Sequence, residues 1–548
     1  MRKTHQFTRL GIAALVLVQA AAAQTIPVGM TGFDDQLRIL QLQGKLDISH
    51  SLMARPFMTG AAFTTDSFYR LTDSSLNYAP VRKEWWNGKG KLEALPLNWY
   101  TRFNSDHPYG WNQPGFIQAK GWQTLVSTGV YASAGWLSIQ LKPEYVYAGN
   151  PAFPYNADYG APVKGSYSKF FMGQSSVRIS KGPVSLGLST ENLYWGPGMY
   201  NSLLMSSNAP GFAHLTFNTT RPVKTPIGNF EWQLIAGKLV EDTSLLLENK
   251  NLTTAYYNPE SYDGSGNIGP YNPKETWRYL SGLTITYNPK WVKGLFISLN
   301  RVGYSYNYKL KENADGYSFF QKYFPVLASV LRKNSPYGTP TMNHEIGYKQ
   351  MASFAARFVF PRSNMEVYAE YGYGDNFSNL RDWNTDAPHS TAYIAGFRKL
   401  KELKKGSWLD ISAEMVHMAE PVNYLLRTAG DWYSYQGGYT NQNRILGAGV
   451  GMGNNAYTGR VTLLSGFSRI GIMLQGIQHG PTQVVGGLPN FGIREVKWND
   501  FAFGLSGQKR FHKVLLNAEL QSVSTKNYAW EKDNHRFNFY GSVAVSYL

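Results

Sequence analysis

The sequence predicts an all-β protein, a transmembrane antiparallel up-and-down β-barrel of about eighteen strands with a small helical N-terminal prefix. Three observations lead there. The chain opens like an exported protein. No later stretch is apolar for long enough to cross a bilayer as a helix, which takes about 20 residues. Segments in which every second residue is apolar recur along the chain, joined by connections that are alternately short and long.

Arg2, Lys3 and Arg9 give a basic start, Leu10 to Ala23 is nearly all apolar, and Ala21, Ala22 and Ala23 precede Gln24. This is the layout of a cleaved secretory signal, so 1–23 is read as a signal peptide. Cysteine is absent, which excludes attachment of a lipid to a processed cysteine, a disulfide framework and a thiolate metal site. Segment 24–96 reads differently from the rest. Asp34 and Asp35 precede Leu37, Leu40 and Leu46 at approximately helical spacing, with Ile39 and Leu42 nearby. Asp34 is placed to cap that helix. A small helical or irregular periplasmic prefix lying under the barrel is expected.

Residues 97–548 carry the barrel pattern. At the C-terminus Phe537, Phe539, Gly541, Val543, Val545 and Tyr547 alternate with Asn538, Tyr540, Ser542, Ala544 and Ser546, Tyr540 being the one large member of the second set. Leu516, Ala518 and Leu520 alternate with Asn517, Glu519 and Gln521, and Ile411, Ala413 and Met415 with Asp410, Ser412 and Glu414. Met365, Val367, Ala369 and Tyr371 alternate with Glu366, Tyr368 and Glu370, and Phe354, Ala356, Phe358 and Phe360 bracket Arg357. A dry soluble core would penalise the interior charges, whereas a hydrated or cross-paired lumen accepts them. Short turns near 133–135, 181–183, 221–228, 288–293, 361–364, 400–407, 465–468 and 509–512 alternate with long loops near 105–118, 149–169, 195–211, 240–277, 306–351, 374–390, 419–455, 479–499 and 524–535. Seventeen connections give eighteen strands and put both ends of the barrel on the periplasmic side. In the long 306–351 loop, Phe320, Phe324, Leu327 and Leu331 fall at near-helical spacing around Pro325. Ser318–Lys333 is therefore either a plug folded into the lumen or a loop packing its own aromatics. The Trp195-Gly196-Pro197-Gly198 turn is read as structural, with Trp195 at the membrane interface.

Several stretches resemble the Wzi-type outer-membrane capsule assembly family, in the form found in Bacteroides-like bacteria. They are Phe33-Asp34-Asp35-Gln36-Leu37-Arg38 with Ala54-Arg55-Pro56; Gln118-Ala119-Lys120-Gly121-Trp122-Gln123; Leu141-Lys142-Pro143-Glu144-Tyr145; Glu191-Asn192-Leu193-Tyr194-Trp195-Gly196-Pro197-Gly198 with Ser206 to Gly211; and Gly438-Tyr439-Thr440-Asn441-Gln442-Asn443-Arg444 running on to Gly451. Their order carries the resemblance over nearly the whole mature chain. It implies an eighteen-stranded barrel with a helical periplasmic prefix and a largely blocked lumen. It also implies a lectin-like role in holding exported capsular polysaccharide, with no catalytic motif.

The residues agree with a binding role and not with catalysis. Glu366 and Glu370 on one strand face would lie about 13 Å apart at 3.3 Å per residue, wider than the roughly 5–9.5 Å of glycosidase carboxyl pairs. Together with Glu414, Arg357 and Arg460 they are expected to form a luminal ion-pair network. The histidines show no metal-ligand spacing, nothing local supports a nucleophile beside His417, and no cofactor is implied. Sugar rings stack on aromatic faces while their hydroxyls and carboxylates seek polar and cationic groups. The predicted external loops offer both in Tyr256, Tyr257, Tyr262, Tyr271 and Trp277, in Arg381 and Trp383, and in Arg427, Trp432, Tyr433, Tyr435 and Tyr439. The competing reading makes these rings part of the interface girdle.

Without Arg2, Lys3 and Arg9 the chain keeps 50 Lys+Arg against 36 Asp+Glu, a net +14, which favours anionic partners. Lipopolysaccharide phosphates and acidic surface polysaccharide fit, alongside outer-membrane lipid and the barrel assembly machinery; nucleic acid does not fit an exported chain. A diffusion channel and an accessory of protein secretion or surface motility are the alternatives to a polysaccharide-binding protein.

Overall fold

The computed structural model describes the chain from residue 24 onward, apart from 27–32, 60–64, 77–79, 154–164, 243–276, 308–309, 311–318, 328–347, 375–390, 405, 420–431, 434–438, 481, 486–489 and 494. Two helices, α1 (Phe33–Leu42) and α2 (Thr65–Thr72), precede an antiparallel sheet that closes on itself. Its staves are β1 (Gly90–Asn104), β2 (Gly121–Ala134), β3 (Leu137–Leu141, continued by Glu144–Ala148), β4 (Tyr167–Phe171, continued by Ser176–Lys181), β5 (Val184–Ser189) and β6 (His214–Thr219, continued by Val223–Thr225). They continue with β7 (Gly228–Leu239), β8 (Arg278–Pro289), β9 (Leu295–Tyr306), β10 (Lys349–Phe360), β11 (Met365–Tyr373) and β12 (Thr391–Glu402). The last six are β13 (Trp408–His417), β14 (Asn455–Ser465), β15 (Ser468–Gln478), β16 (Asn499–Phe511), β17 (Val514–Lys526) and β18 (Arg536–Tyr547). Each pairs with its sequence neighbour, and β18 closes on β1 from Tyr540↔Asn104 to Tyr547↔Leu97. Eighteen staves joined by alternately short and long connections is the expected architecture.

Alternation decides which face is which. Phe537, Phe539, Phe501, Leu505, Ile470 and Ile472 point outward and are exposed, as a lipid-facing wall requires, while Asn538, Ser542, Glu366, Arg357 and Glu414 point inward and are buried. The turns are tight for local reasons: Asn364 (φ 49) closes the β10–β11 turn and Gly466 (φ 57) the β14–β15 turn, both in the left-handed region.

The prefix departs from expectation in two ways. β1 begins at Gly90, inside the segment read as prefix. Residue 97 is where β18 starts to pair with it, and the earlier residues are flanked by a short strand, Arg82–Trp85. The prefix also does not simply lie under the barrel, because α1 enters it. Arg357 Nη1 donates to Gln41 Oε1 (2.8 Å) and Asn364 Nδ2 to the Leu42 carbonyl (2.7 Å). α1 starts at Phe33, so Asp34 belongs to its first turn and does not precede it. Phe33, Leu37 and Leu40 pack with Phe68 and Tyr69 of α2 and with Phe467, Leu515 and Leu548 of the barrel rim.

Candidate functional site

The lumen is filled by the chain itself. After β5 the residues from 190 to 213 leave the wall and turn inward, where Trp195, Leu203, Leu204 and Met205 are buried. Trp195 is held in the interior, its Nε1 donating to Gln233 Oε1 (2.7 Å). This corrects its assignment to the membrane interface: the Gly-Pro-Gly turn lets the chain enter a polar lumen whose walls offer hydrogen-bond partners. Gly196 donates to the Met53 carbonyl (2.8 Å), tying this plug to the prefix, and Ser206 N donates to the Leu446 carbonyl (2.7 Å), tying it to a third inward segment around 439–451.

The inward charges on the wall serve this plug. Glu366 is clamped by Arg357 (2.5 Å) and by Arg38 of α1 (2.7 Å), all three fully buried. Arg38 also donates to the Pro197 carbonyl (2.6 Å), so one guanidinium joins prefix, wall and plug. Glu414 accepts from the backbone N–H groups of Met199 (2.6 Å) and Tyr200 (3.2 Å) and from the Tyr368 hydroxyl (2.9 Å). Glu370 accepts from Ser353 (2.7 Å) and from Leu203 N (3.5 Å). Arg460 pairs with Glu519 (3.2 Å). The five residues expected to form one ion-pair network are therefore divided: Arg357 and Glu366 pair with each other, Glu370 and Glu414 receive plug amides, and Arg460 turns to a different strand. Burying a carboxylate is tolerable when hydrogen bonds satisfy it, and backbone donors do that as well as arginine.

Between the plug and the inner faces of β12–β18 and β1 remains a chamber of about 320 Å³. Arg38, Arg55, Arg460 and Arg469 reach its surface, as do the rings of Tyr109, Trp111, Tyr200 and Tyr540. Its carboxylates are already engaged: Asp35 bridges Arg398 (2.5 Å) and Arg469 (3.0 Å), Asp410 binds Arg398 (2.5 Å), and Glu519 holds Arg460. Burial would raise the Asp35 pKa, but the two guanidiniums outweigh it and hold the carboxyl well below the usual range. Among the described residues, every carboxylate lining the chamber is thus bound to an arginine. Its cations, amides and ring faces suit a hydroxyl-rich or anionic guest, and its volume is at the small end of ligand sites, about 300–1,000 Å³.

The predicted aromatic sites divide in the same way. Trp432, Tyr433 and Tyr439 are buried in the luminal core and have no free face for a sugar. Tyr433 Oη donates to the Leu203 carbonyl (2.5 Å) and accepts from Ala448 N (2.7 Å), and Tyr439 Oη donates to the Leu204 carbonyl (2.8 Å). Trp277 is half-buried, with Lys238 Nζ 5.1 Å from its ring. Tyr256, Tyr257, Tyr262, Tyr271, Arg381, Trp383, Arg427 and Tyr435 lie outside the described residues. The 306–351 loop does not plug the lumen in the part described. Phe319–Tyr323 and Pro325–Leu327 lie against the outer wall, where the Tyr279 hydroxyl donates to the Tyr323 carbonyl and the Tyr348 hydroxyl to the Lys322 carbonyl (2.6 Å). Phe320 packs on Phe324 (6.1 Å), so the loop packs its own aromatics. His417 stacks on Tyr393 (5.0 Å). Alternation could not have revealed Arg38 and Arg55, but Tyr540 was visible as the oversized member of an inward set.

No family model and no curated protein matches the sequence. Among solved structures the chain is similar to Wzi, an outer membrane protein involved in group 1 capsule assembly in Escherichia coli and described as a carbohydrate-binding β-barrel. The identity is 13% and the TM-score 0.58, over 96% of this chain and 99% of that one. Looser superpositions reach OccAB3 of Acinetobacter baumannii (9% identity, TM-score 0.40, 83% and 98% covered) and OprD of Pseudomonas aeruginosa (10%, 0.37, 84% and 93%). At such identity the likeness to Wzi is one of fold, extending over both whole chains.

Proposed function

We propose that this chain is an outer-membrane protein that binds polysaccharide and organises it at the cell surface, as a lectin-like scaffold and not an enzyme. The observation that carries the reading is the filled lumen. A barrel whose interior is occupied by its own prefix and two inward segments is unsuited to free diffusion, while a rigid plugged cylinder is a suitable mount for surface binding. The fold shared with a carbohydrate-binding barrel and the net charge of +14 after removal of a 1–23 signal peptide support it, the charge favouring acidic polymers. The short turns then face the periplasm and the long loops the exterior. The Bacteroides-like form of the Wzi-type family remains the proposed kinship. With Trp432, Tyr433 and Tyr439 committed to the core, the surface candidates for sugar contact are Tyr262, Trp277, Arg381, Trp383, Arg427 and Tyr435.

The test has two arms. Purified protein in planar bilayers is expected to show little or no conductance, and replacing Pro197–Ser207 by a short Gly-Ser linker is expected to raise it. Deleting the gene is expected to release surface polysaccharide into the medium. Porin-like conductance in the unmodified protein would favour the channel reading, and unchanged cell-bound polysaccharide after deletion would overturn the binding role.

A further inference from the structure

The barrel wall has a notch at its long-loop end. β5 stops at Ser189 and β6 starts at His214, because the residues between them dive into the lumen. Their neighbours continue past that level: β4 has the additional piece Tyr167–Phe171, and β7 reaches Leu239. Among the described residues Tyr167–Phe171 pairs only with Glu144–Ala148, so its other edge has no strand beside it. Five residues at 3.3–3.4 Å each make the notch about 17 Å deep along β4. A bare sheet edge exposes unpaired backbone groups and needs a cover.

The cover is the tip of a small hairpin from the third luminal segment, Thr440–Asn441 paired with Arg444–Ile445. Gln442 and Asn443 form the tip in the left-handed region (φ 52 and 61). The tip belongs to the Gly438–Gly451 stretch singled out in the sequence. It is fastened closely on the β7 side. Gln442 N donates to the Val240 carbonyl (2.7 Å), Val240 N to Asn441 Oδ1 (3.1 Å), and Asp242 N to Asn443 Oδ1 (3.0 Å), while Asn443 Nδ2 returns to the Asp242 carbonyl (3.1 Å). On the β4 side the fastening is by side chains. Lys169 Nζ binds Asp242 (2.6 Å) and Gln442 Oε1, and Tyr167 Oη donates to Asp242 (3.0 Å). The Lys169 side chain is 29% exposed, so the seam can be reached from solvent. Phe170 stands exposed on one flank, and Trp277 beside Lys238 on the other.

We propose that this notch is a lateral binding cleft for a polysaccharide chain, which lies along the open β4 edge and takes over the bonds that Lys169 and Tyr167 make to Asp242 and Gln442. The inference rests on the polysaccharide-binding reading and gives it a location. The chemistry matches: an Asn-Gln-Asn tip with a Lys–Asp pair presents donors and acceptors to sugar hydroxyls, Lys169 offers a cation to a sugar carboxylate, and Phe170 and Trp277 offer ring faces. Among the described residues, opening the seam on the β4 side breaks side-chain bonds, whereas parting two paired staves breaks a ladder.

The chain's lack of cysteine makes the test direct. Surface polysaccharide extracted from the same cells and tagged with a fluorophore is the probe, binding being measured on purified protein in detergent. Ser168→Cys on the open edge, coupled to a maleimide polyethylene glycol, is expected to bind the probe at least fivefold more weakly than the same variant uncoupled. Coupling at Lys532→Cys, in the exposed β17–β18 loop, is expected to change binding less than twofold. As an independent arm, Lys169→Gln is expected to weaken binding at least fivefold and to make it less sensitive to salt. Binding by the wild type that is indifferent both to coupling at residue 168 and to Lys169→Gln would overturn the cleft and leave the polysaccharide reading standing. No binding by the wild type would remove both.

Discussion

Glu366 and Glu519 occupy the same kind of position, an inward carboxylate in an alternating strand, yet their surroundings differ. Glu366 on β11 is sealed between Arg357 and Arg38 with no solvent exposure. Glu519 on β17 pairs with a single cation, Arg460, at 3.2 Å, and accepts from the Gln521 side-chain amide (3.1 Å); Glu519 and Arg460 remain partly exposed, at 23% and 30%. The plug and Arg38 of α1 press directly against β10 and β11, whereas the inner faces of β14–β18 look onto the chamber. Alternation thus determines which residues point inward, but the plug decides whether an inward charge becomes a lock or a hydrated surface.

The locked side should respond most strongly to substitution. Arg38→Ala removes the guanidinium that joins prefix, wall and plug and leaves Glu366 with one partner. Breaking a buried pair of this kind costs about 3–5 kcal/mol, expected as a clear drop in the urea midpoint of the barrel in detergent, followed by tryptophan fluorescence. A change under about 1 kcal/mol would mean that α1 is not anchored there. The Asp35 bridge predicts a pH dependence whose sign follows from its lowered pKa. Its contribution is complete above the unfolded-state Asp value of about 3.9 and is lost as the pH falls below it. Unfolding midpoints between pH 7 and pH 3 should fall only at the acidic end, and Asp35→Asn should make that fall shallower. Tyr433→Phe tests the junction between plug and third segment. It leaves Ala448 N and the Leu203 carbonyl without the Tyr433 hydroxyl in a buried site, at a cost of about 1–3 kcal/mol. A neutral result would show that water replaces the hydroxyl.

Much of the wall was legible in the sequence and little of the interior was. Phe537 and Phe539 outward, and Glu366, Glu414 and Arg357 inward, follow from a period of two that no other arrangement satisfies. The fate of residues 190–213 does not follow in that way. A loop destined for a polar lumen carries the same Gly, Pro, Ser, Asn and aromatic residues as one destined for the surface, because both need hydrogen-bonding surroundings and turns. Trp432, Tyr433 and Tyr439 were misread for this reason: they sit in a long connection, and only its tertiary path shows that they pack on Leu203 and Leu204. The partners of Glu370 and Glu414 were equally hidden, since a backbone amide leaves no mark in a sequence. Tyr540 was the exception. A large ring among small inward residues requires space, and it lies at the chamber's edge, bonded to Gln113 (2.6 Å).

The hydrated side should yield the smallest effect, and that expectation sharpens the comparison. Arg460→Ala removes a pair that is partly exposed on both members, and exposed pairs of this type are worth about 0–1 kcal/mol because water screens the attraction and replaces the lost partner. The Glu519 carboxylate left behind faces the chamber, where it can be solvated, unlike Glu366 after loss of Arg38. The urea midpoint is therefore expected to stay within about 1 kcal/mol of wild type, while Arg38→Ala in the same background keeps its full cost. The two substitutions should also be additive to within about 0.5 kcal/mol, as independent sites are. A loss from Arg460→Ala as large as that from Arg38→Ala would show that the chamber wall is as tightly coupled as the plugged wall, and the distinction between a locked and a hydrated side would fail.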